Sequence, residues 1–300
     1  MPDVLSFGTI CSGIEGAAVA FEPLGWRHAY AAEIEPFCRD LLDHHYPGVP
    51  NLGDITEATD FPAVDLIVAG TPCQSFSLAG NRSGMADARG RLALRFVEII
   101  DSGKPRWIIW ENVPGVLSAN RGHDFAAFIG ALAECGYGFA WRVLDARRFG
   151  VAQRRRRVFV VGSRHGYRSA AAVLFDPPTC GKDAKPTRQS GPGRQRASNC
   201  AAELLGWTGD TTPKFGVEVC PTLRASQGGE GVGIIRGGLF RRLTVNEWER
   251  LQGFPLGYTA IPGWGETARR KAIGNSFAVP VMRWIGERLA FVDDMAKTAA

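Results

Sequence analysis

Short apolar runs alternate with longer amphipathic stretches through the first 165 residues. Runs of four to seven residues at 5–10, 26–32, 66–69, 107–110, 139–144 and 158–161 read as buried strands. Between them, apolar positions recur at helical spacing over 17–23, 36–46, 92–100 and 124–135, as expected of helices that lay one face on a core. This alternation predicts a parallel α/β sheet. The pattern then breaks. Residues 177–240 hold 12 Gly and 6 Pro in 64 positions, which predicts loops with short strands. Helical periodicity returns from Leu243 to Arg250 and again over 277–291. The expected plan is a large domain made of 1–165 plus 241–300, with a smaller domain, 166–240, inserted before the C-terminal return.

Composition excludes several classes. No apolar run in the 300 residues approaches the ~18–20 needed to span a membrane. No Lys or Arg precedes the first apolar stretch, so a signal peptide is not expected. Seven cysteines without a Cys-x-x-Cys pair, and five histidines without a His-x-x-x-His pair, argue against a disulfide framework and against a metal site. A soluble, cytoplasmic protein is expected. The net charge is only +5, but 29 of the 35 basic residues are Arg. The guanidinium fork suits phosphates and base edges. High genomic G+C content would produce the same bias, so position says more than number. Between Arg147 and Arg168 lie eight arginines and no carboxylate, interleaved with Val151, Val158, Phe159, Val160 and Val161, so part of this basic block belongs to a strand.

Three groups of residues carry chemistry. Ser12, Gly13 and Gly16 form a turn between the first strand and the first helix, where backbone amides and a helix N-terminus can meet a ligand's polar groups. Glu33 ends the second strand, 20 residues after Gly13, where an acid can bond ribose hydroxyls. Asp54, between Gly53 and Ile55, is a further polar group able to hold an adenine. Together they favour a nucleoside-bearing cofactor. The second group is Gly70 to Ser77, with Cys73 in a Pro-stiffened turn at the carboxyl end of a strand, the place where α/β enzymes put reacting groups. A polar loop punctuated by Gly80, Gly84 and Gly90 follows and could close over a substrate. The third is Glu111, Asn112 and Val113 at the end of the next core strand, together with Gln153 to Arg157 just before another.

With these residues in place, nearly the whole chain resembles DNA cytosine-5 methyltransferases of the bacterial and phage type. The motifs follow family order: the turn at 12–16, Glu33, Gly53 with Asp54 and Ile55, Pro72 with Cys73 and Gln74, Asp87 to Gly90, Glu111 to Val113, Gln153 to Arg157, Arg242 to Pro255 and Gly274 to Ser276. Cys11 stands where the family usually has Phe, and Glu15 replaces a Gly. The resemblance implies a Rossmann-like S-adenosylmethionine-dependent methyltransferase sheet with a small, loop-rich target-recognition domain. It implies S-adenosyl-L-methionine held by Ser12, Gly13, Ile14, Glu33, Ile34, Asp54, Ile55, Pro72, Asn275 and Ser276. Cys73 would be the nucleophile, Glu111 the acid, and Arg155, together with Arg157, the support for the base and the thiolate. DNA would meet Gln74, Ser77, Arg89, Gln153, Arg188, Arg194, Arg196, Thr222, Leu223 and Arg224. The implied partner is double-stranded DNA and, where the enzyme serves a restriction–modification pair, a cognate restriction endonuclease; a monomer and no metal are expected.

The chemistry is coherent with this. Carbon 5 of cytosine is a poor nucleophile until a thiolate adds to carbon 6. An acid near N3 then relieves the charge put into the ring. The base must leave the duplex to be reached. A tRNA cytosine-5 methyltransferase and a non-catalytic DNA-binding relative are the alternatives; the inserted segment favours a DNA reader, and retention of Cys73, Glu111, Asn275 and Ser276 favours an enzyme. A NAD-dependent dehydrogenase is weaker, because no hydride-transfer residues accompany Cys73.

Overall fold

The computed structural model describes residues 4–71, 88–175, 203–207, 214–216, 220, 222–223, 231–236 and 239–298. Six strands, β1 (Ser6–Ile10), β2 (Arg27–Ala32), β3 (Leu66–Ala69), β4 (Trp107–Asn112), β5 (Gly138–Asp145) and β6 (Arg156–Ser163), form one sheet in the order β2-β1-β3-β4-β6-β5. β1, β3 and β4 are buried along their whole length. That is why they read as continuous apolar runs rather than as alternating ones. Helices α1 (Gly16–Phe21), α2 (Pro36–His45), α3 (Ala88–Gly103) and α4 (His123–Glu134) follow β1, β2, β3 and β4 in turn. Pro36 at the first position of α2 supplies a preset φ where no amide partner is needed.

The sheet is mixed, which corrects the all-parallel reading. β6 runs antiparallel to both β4 and β5, between which it lies. Apolar periodicity is the same for either direction, so the pattern could not reveal this. The consequence is functional. An antiparallel strand enters where its neighbours end, so the arginines that open β6 arrive at the carboxyl end of β4.

Helix α5 (Tyr167–Leu174) packs on β5, β6 and the closing helix α8 (Val279–Thr298). A boundary at residue 166 would therefore separate α5 from the sheet it covers. Beyond it, β7 (Glu203–Trp207), β8 (Lys214–Gly216), β9 (Gly231–Arg236) and β10 (Leu239–Arg242) make a second, antiparallel sheet in the order β10-β9-β7-β8. Helix α6 (Val245–Gln252) starts with a capping box in which Thr244 and Glu247 satisfy each other's backbone amides. Helix α7 (Glu266–Asn275), absent from the sequence reading, leads to Ser276. Among the described residues no helix is long and apolar enough to cross a membrane, and no group of three or more His, Cys, Asp or Glu could hold a metal ion.

Candidate active site

From β1 the chain passes outward to β2 and then back across to β3, so β1 has a parallel neighbour on each side. The reversal opens a crevice at the carboxyl ends of β1 and β3, where ligands of open α/β sheets bind. A cavity of about 690 Å³ occupies that place. Its lining brings together Ser12 and Gly13 after β1, Glu33 and Ile34 after β2, Thr71 after β3, Glu111 at the end of β4, Arg155 and Arg157 from the entry to β6, and Asn275 and Ser276 at the C-terminal end of α7. Six segments far apart in sequence thus meet at one end of the sheet.

Glu33 holds the turn. Its Oε2 accepts from the Gly13 amide at 2.7 Å, and its Oε1 from the amides of Ile34 and Glu35. Gly13 has φ +57°, a left-handed conformation that glycine adopts without the strain an L side chain would bring, and open space stands where a side chain would be. Asn51, which the sequence reading missed, fixes Glu33 from behind: its Oδ1 accepts from the Glu33 amide and its Nδ2 donates to the Glu33 carbonyl. Ile34 is 62% exposed on the rim and offers an apolar surface to a flat ring. Ile14 is fully buried behind the turn. Asp54 is exposed and does not line the cavity; its carboxylate accepts from the Thr56 amide and hydroxyl, which hold it below the usual carboxylate range. Ile55 is buried beneath it.

The other half of the cavity is arranged around β4. Trp110 Nε1 donates to Thr71 Oγ1 at 2.8 Å, and Asn112 Nδ2 donates to the Thr71 carbonyl at 2.9 Å. Two contacts from one strand therefore fix the residue that precedes Pro72 and Cys73. Pro72, Cys73, Gln74, Ser77, Arg188, Arg194, Arg196 and Arg224 themselves lie outside the described residues, as does the side chain of Arg89. Glu111 is buried, and Arg157 Nε meets its Oε1 at 3.1 Å. Burial pushes the Glu111 carboxyl up, and the charges of Arg157 and Arg155 only partly oppose this.

Alternation along the entry to β6 turns Gln153, Arg155 and Arg157 inward and leaves Arg154 and Arg156 exposed. Arg155 is 2% exposed, and its terminal nitrogens donate to the carbonyls of Leu223, Gly274 and Ser276 at 3.3, 3.1 and 2.7 Å. Burial pulls its guanidinium down to about 9, so it stays charged at neutral pH. It ties Leu223 to the C-terminal end of α7, while Arg157 is the arginine that reaches Glu111. Two expected DNA contacts are corrected. Gln153 is fully buried, with its amide bonded to the Leu251 carbonyl and to Gln252 Oε1. Leu223 is also fully buried, and its backbone serves Arg155 and Gln153. Neither offers an edge to DNA. Thr222 is half-buried, and its hydroxyl donates to the Arg154 carbonyl at 2.5 Å.

The cavity suits a nucleoside joined to an amino acid. It combines backbone amides, a carboxylate, an exposed apolar residue, and two buried polar atoms without a partner among the described residues, Ser276 Oγ and Arg155 Nε.

Comparison with known proteins agrees with this arrangement. The family described as C-5 cytosine-specific DNA methylase matches residues 5–190 and 207–290. The chain is 30% identical to the DNA N-6-adenine-methyltransferase of Escherichia phage P1, over 95% of this chain and 61% of the phage protein, so it spans less than two thirds of that relative. It is 32% identical to the Type II methyltransferase M2.BsuMI of Bacillus subtilis, over 94% of this chain and 74% of the relative. A crystal structure of a Spodoptera frugiperda DNMT2 variant superposes with a TM-score of 0.68 at 17% identity, covering 95% of this chain and 99% of the other; it shares the fold.

Proposed function

The chain belongs to the C-5 cytosine-specific DNA methylases, enzymes that methylate cytosine in DNA, and on that premise we propose which of its residues carry the reaction. The family is S-adenosylmethionine-dependent, and we assign that cofactor to the cavity between β1 and β3. Gly13 and Glu33 would hold its ribose end, Ile34 would cover the adenine, and Asn275 and Ser276 would face the amino-acid end. When bound there, S-adenosyl-L-methionine supplies the methyl group that carbon 5 receives.

Cys73 adds as a thiolate to carbon 6 of the cytosine, forming a carbon–sulfur bond. The ring electrons move toward N3, where Glu111 delivers a proton. Loss of the carbon-5 proton to a base and expulsion of the Cys73 thiolate later restore the carbon 5–carbon 6 double bond, and the N3 proton returns to Glu111. The observation that carries this reading is the buried Glu111 carboxyl, raised by its surroundings and oriented through Oε1 by Arg157. Oε2 is the oxygen assigned to N3, and Arg157 is placed to support O2. Arg155 acts by holding the backbone at 274–276 rather than by touching the base. Asp54, exposed and outside the cavity lining, supports the turn after Asn51 and reaches the adenine only from its edge. Thr222 stays a proposed DNA neighbour through its exposed side.

The family match supports DNA as substrate, and Arg155 joins the segment before β9 to the end of α7. Residues 177–240, with Arg188, Arg194, Arg196 and Arg224, are proposed to read the sequence around the target. Transfer to an adenine amine, which the name of the phage P1 relative suggests, would need no acid at a ring nitrogen, and the buried Glu111 gives that reading no support. The test is a duplex with 5-fluorocytosine at the target, because fluorine cannot leave as the proton does. The wild type should form an adduct that survives denaturation. Absence of an adduct on a verified target would remove the covalent step.

A further inference from the structure

The turn at 12–16 rests on a buried acid that the proposed reaction does not use. Glu15 sits in the left-handed region at φ 55° and has no exposed surface. Few side chains adopt that conformation, and a buried carboxyl without full hydrogen bonding is costly. Its Oε1 accepts from Thr9 Oγ1 at 2.5 Å and lies 3.7 Å from His28 Nε2. Glu15 Oε2, His28 Nδ1 and the Tyr30 hydroxyl are all buried with no partner among the described residues. His28 is fixed by stacking on Phe7, with centroids 4.7 Å apart, and by the edge of Tyr46.

The cluster is directly beneath the cofactor turn. The Glu15 amide donates to the Ser12 carbonyl at 3.1 Å and closes the turn. The next residue back, Ile14, gives its carbonyl to the Tyr258 hydroxyl at 3.0 Å. Gly13, one further back, presents its amide to Glu33 in the cavity. A change of charge on Glu15 therefore acts on the backbone that lines the cavity.

Among the described groups facing Glu15, none supplies a compensating positive charge. Burial pushes its carboxyl up to about 8; the hydrogen bond from the Thr9 hydroxyl resists, and Glu33 adds to the rise. Burial pulls His28 down to about 4, so at neutral pH the pair is an acid beside a neutral imidazole and not an ion pair. Burial pushes Tyr30, Tyr46 and Tyr258 up, so they stay neutral across the range in question. Glu33, together with Glu22, which acts on both Tyr46 and Tyr258, supplies only negative charge.

We propose that Glu15 is a proton-dependent positioning residue, which keeps the cofactor turn in its binding conformation while protonated and disturbs it when ionised. This rests on the cofactor assignment above. The test compares Glu15→Gln, a neutral isostere, with the wild type. Calorimetry should give similar affinities for S-adenosyl-L-methionine at pH 7. From pH 7 to 9 the wild type should weaken about tenfold relative to the variant, one pH unit past the transition corresponding to one decade. The ligand's own amino group titrates in this range but does so equally for both chains, so the ratio isolates Glu15. A ratio that stays constant would overturn the proposal. Urea unfolding of the ligand-free chains provides a second readout. The wild type should lose stability relative to Glu15→Gln as pH rises from 6 to 9, and parallel curves would contradict a buried titrating acid. In wild-type chain labelled at glutamate carboxyl carbons, one signal should titrate near pH 8 without any substitution; if none does, the switch is absent. Binding that is undetectable at every pH would instead count against the cofactor assignment, and the unfolding and carboxyl titrations would still decide the titration of Glu15.

Discussion

Replacing Arg155 by Leu should cost the folded chain about 3–5 kcal/mol. Its guanidinium donates to three carbonyls, those of Leu223, Gly274 and Ser276, in a place closed to water. Each buried acceptor left bare costs about 1–3 kcal/mol. The sum is reduced because the substitution also removes a cation whose burial is itself unfavourable, as the downward pull on its pKa shows. Leu fills the space but satisfies none of the carbonyls. Arg155→Lys keeps the charge, yet a single ammonium on a flexible stem cannot reach three separated acceptors, so it should cost about 2 kcal/mol. Urea unfolding of ligand-free chain at fixed pH measures this, provided the slopes agree. Cofactor affinity should fall with both variants, because the carbonyls released at 274–276 border the cavity. A loss below about 1 kcal/mol for Arg155→Leu, or Lys matching Arg, would refute the clamp.

Glu111→Gln should lower single-turnover methyl transfer by about 10²–10⁴-fold while leaving cofactor affinity within about threefold. In the wild type the same rate should decline as pH rises through the raised Glu111 pKa, because the acid must be protonated to act. Glu33→Ala should weaken cofactor binding by about 1–3 kcal/mol in calorimetry, since it frees the Gly13 amide. Gly138→Ala should lower the melting temperature, at a cost of about 1–3 kcal/mol or more, because the new carbon would stand 2.0 Å from the Tyr167 backbone nitrogen.

How far these features can be read from sequence depends on what each segment buries. Strand 66–69 was placed to the residue because four apolar side chains are enclosed on both faces. β4 and β6 extend beyond their apolar cores into Glu111, Asn112, Arg156 and Arg157. These are polar residues in extended backbone because that end of the sheet forms the cavity wall. Helix α7 was missed because six of its ten residues are polar or charged and it buries only Ala272, Ile273 and Gly274. The motifs around Gln153 and Leu223 suggest DNA contacts, but both side chains are fully buried. Burial is a property of the packed chain, and the period-two alternation that sends Gln153 inward with Arg155 becomes meaningful only once β6 is known to run antiparallel. Asn51 lay three residues before Asp54, and its role behind Glu33 needed the β2 end and the following turn to be brought together.

The most direct test of the central claim is base-resolution methylation mapping of DNA from a host expressing the chain. Bisulfite sequencing should show cytosines protected in one recurring sequence with the wild type and none with Cys73→Ser. Parallel mapping should find no new N6-methyladenine. Wild-type chain that is folded and cofactor-bound yet leaves every cytosine unprotected, or that marks adenine instead, would contradict carbon-5 methylation of cytosine by this site.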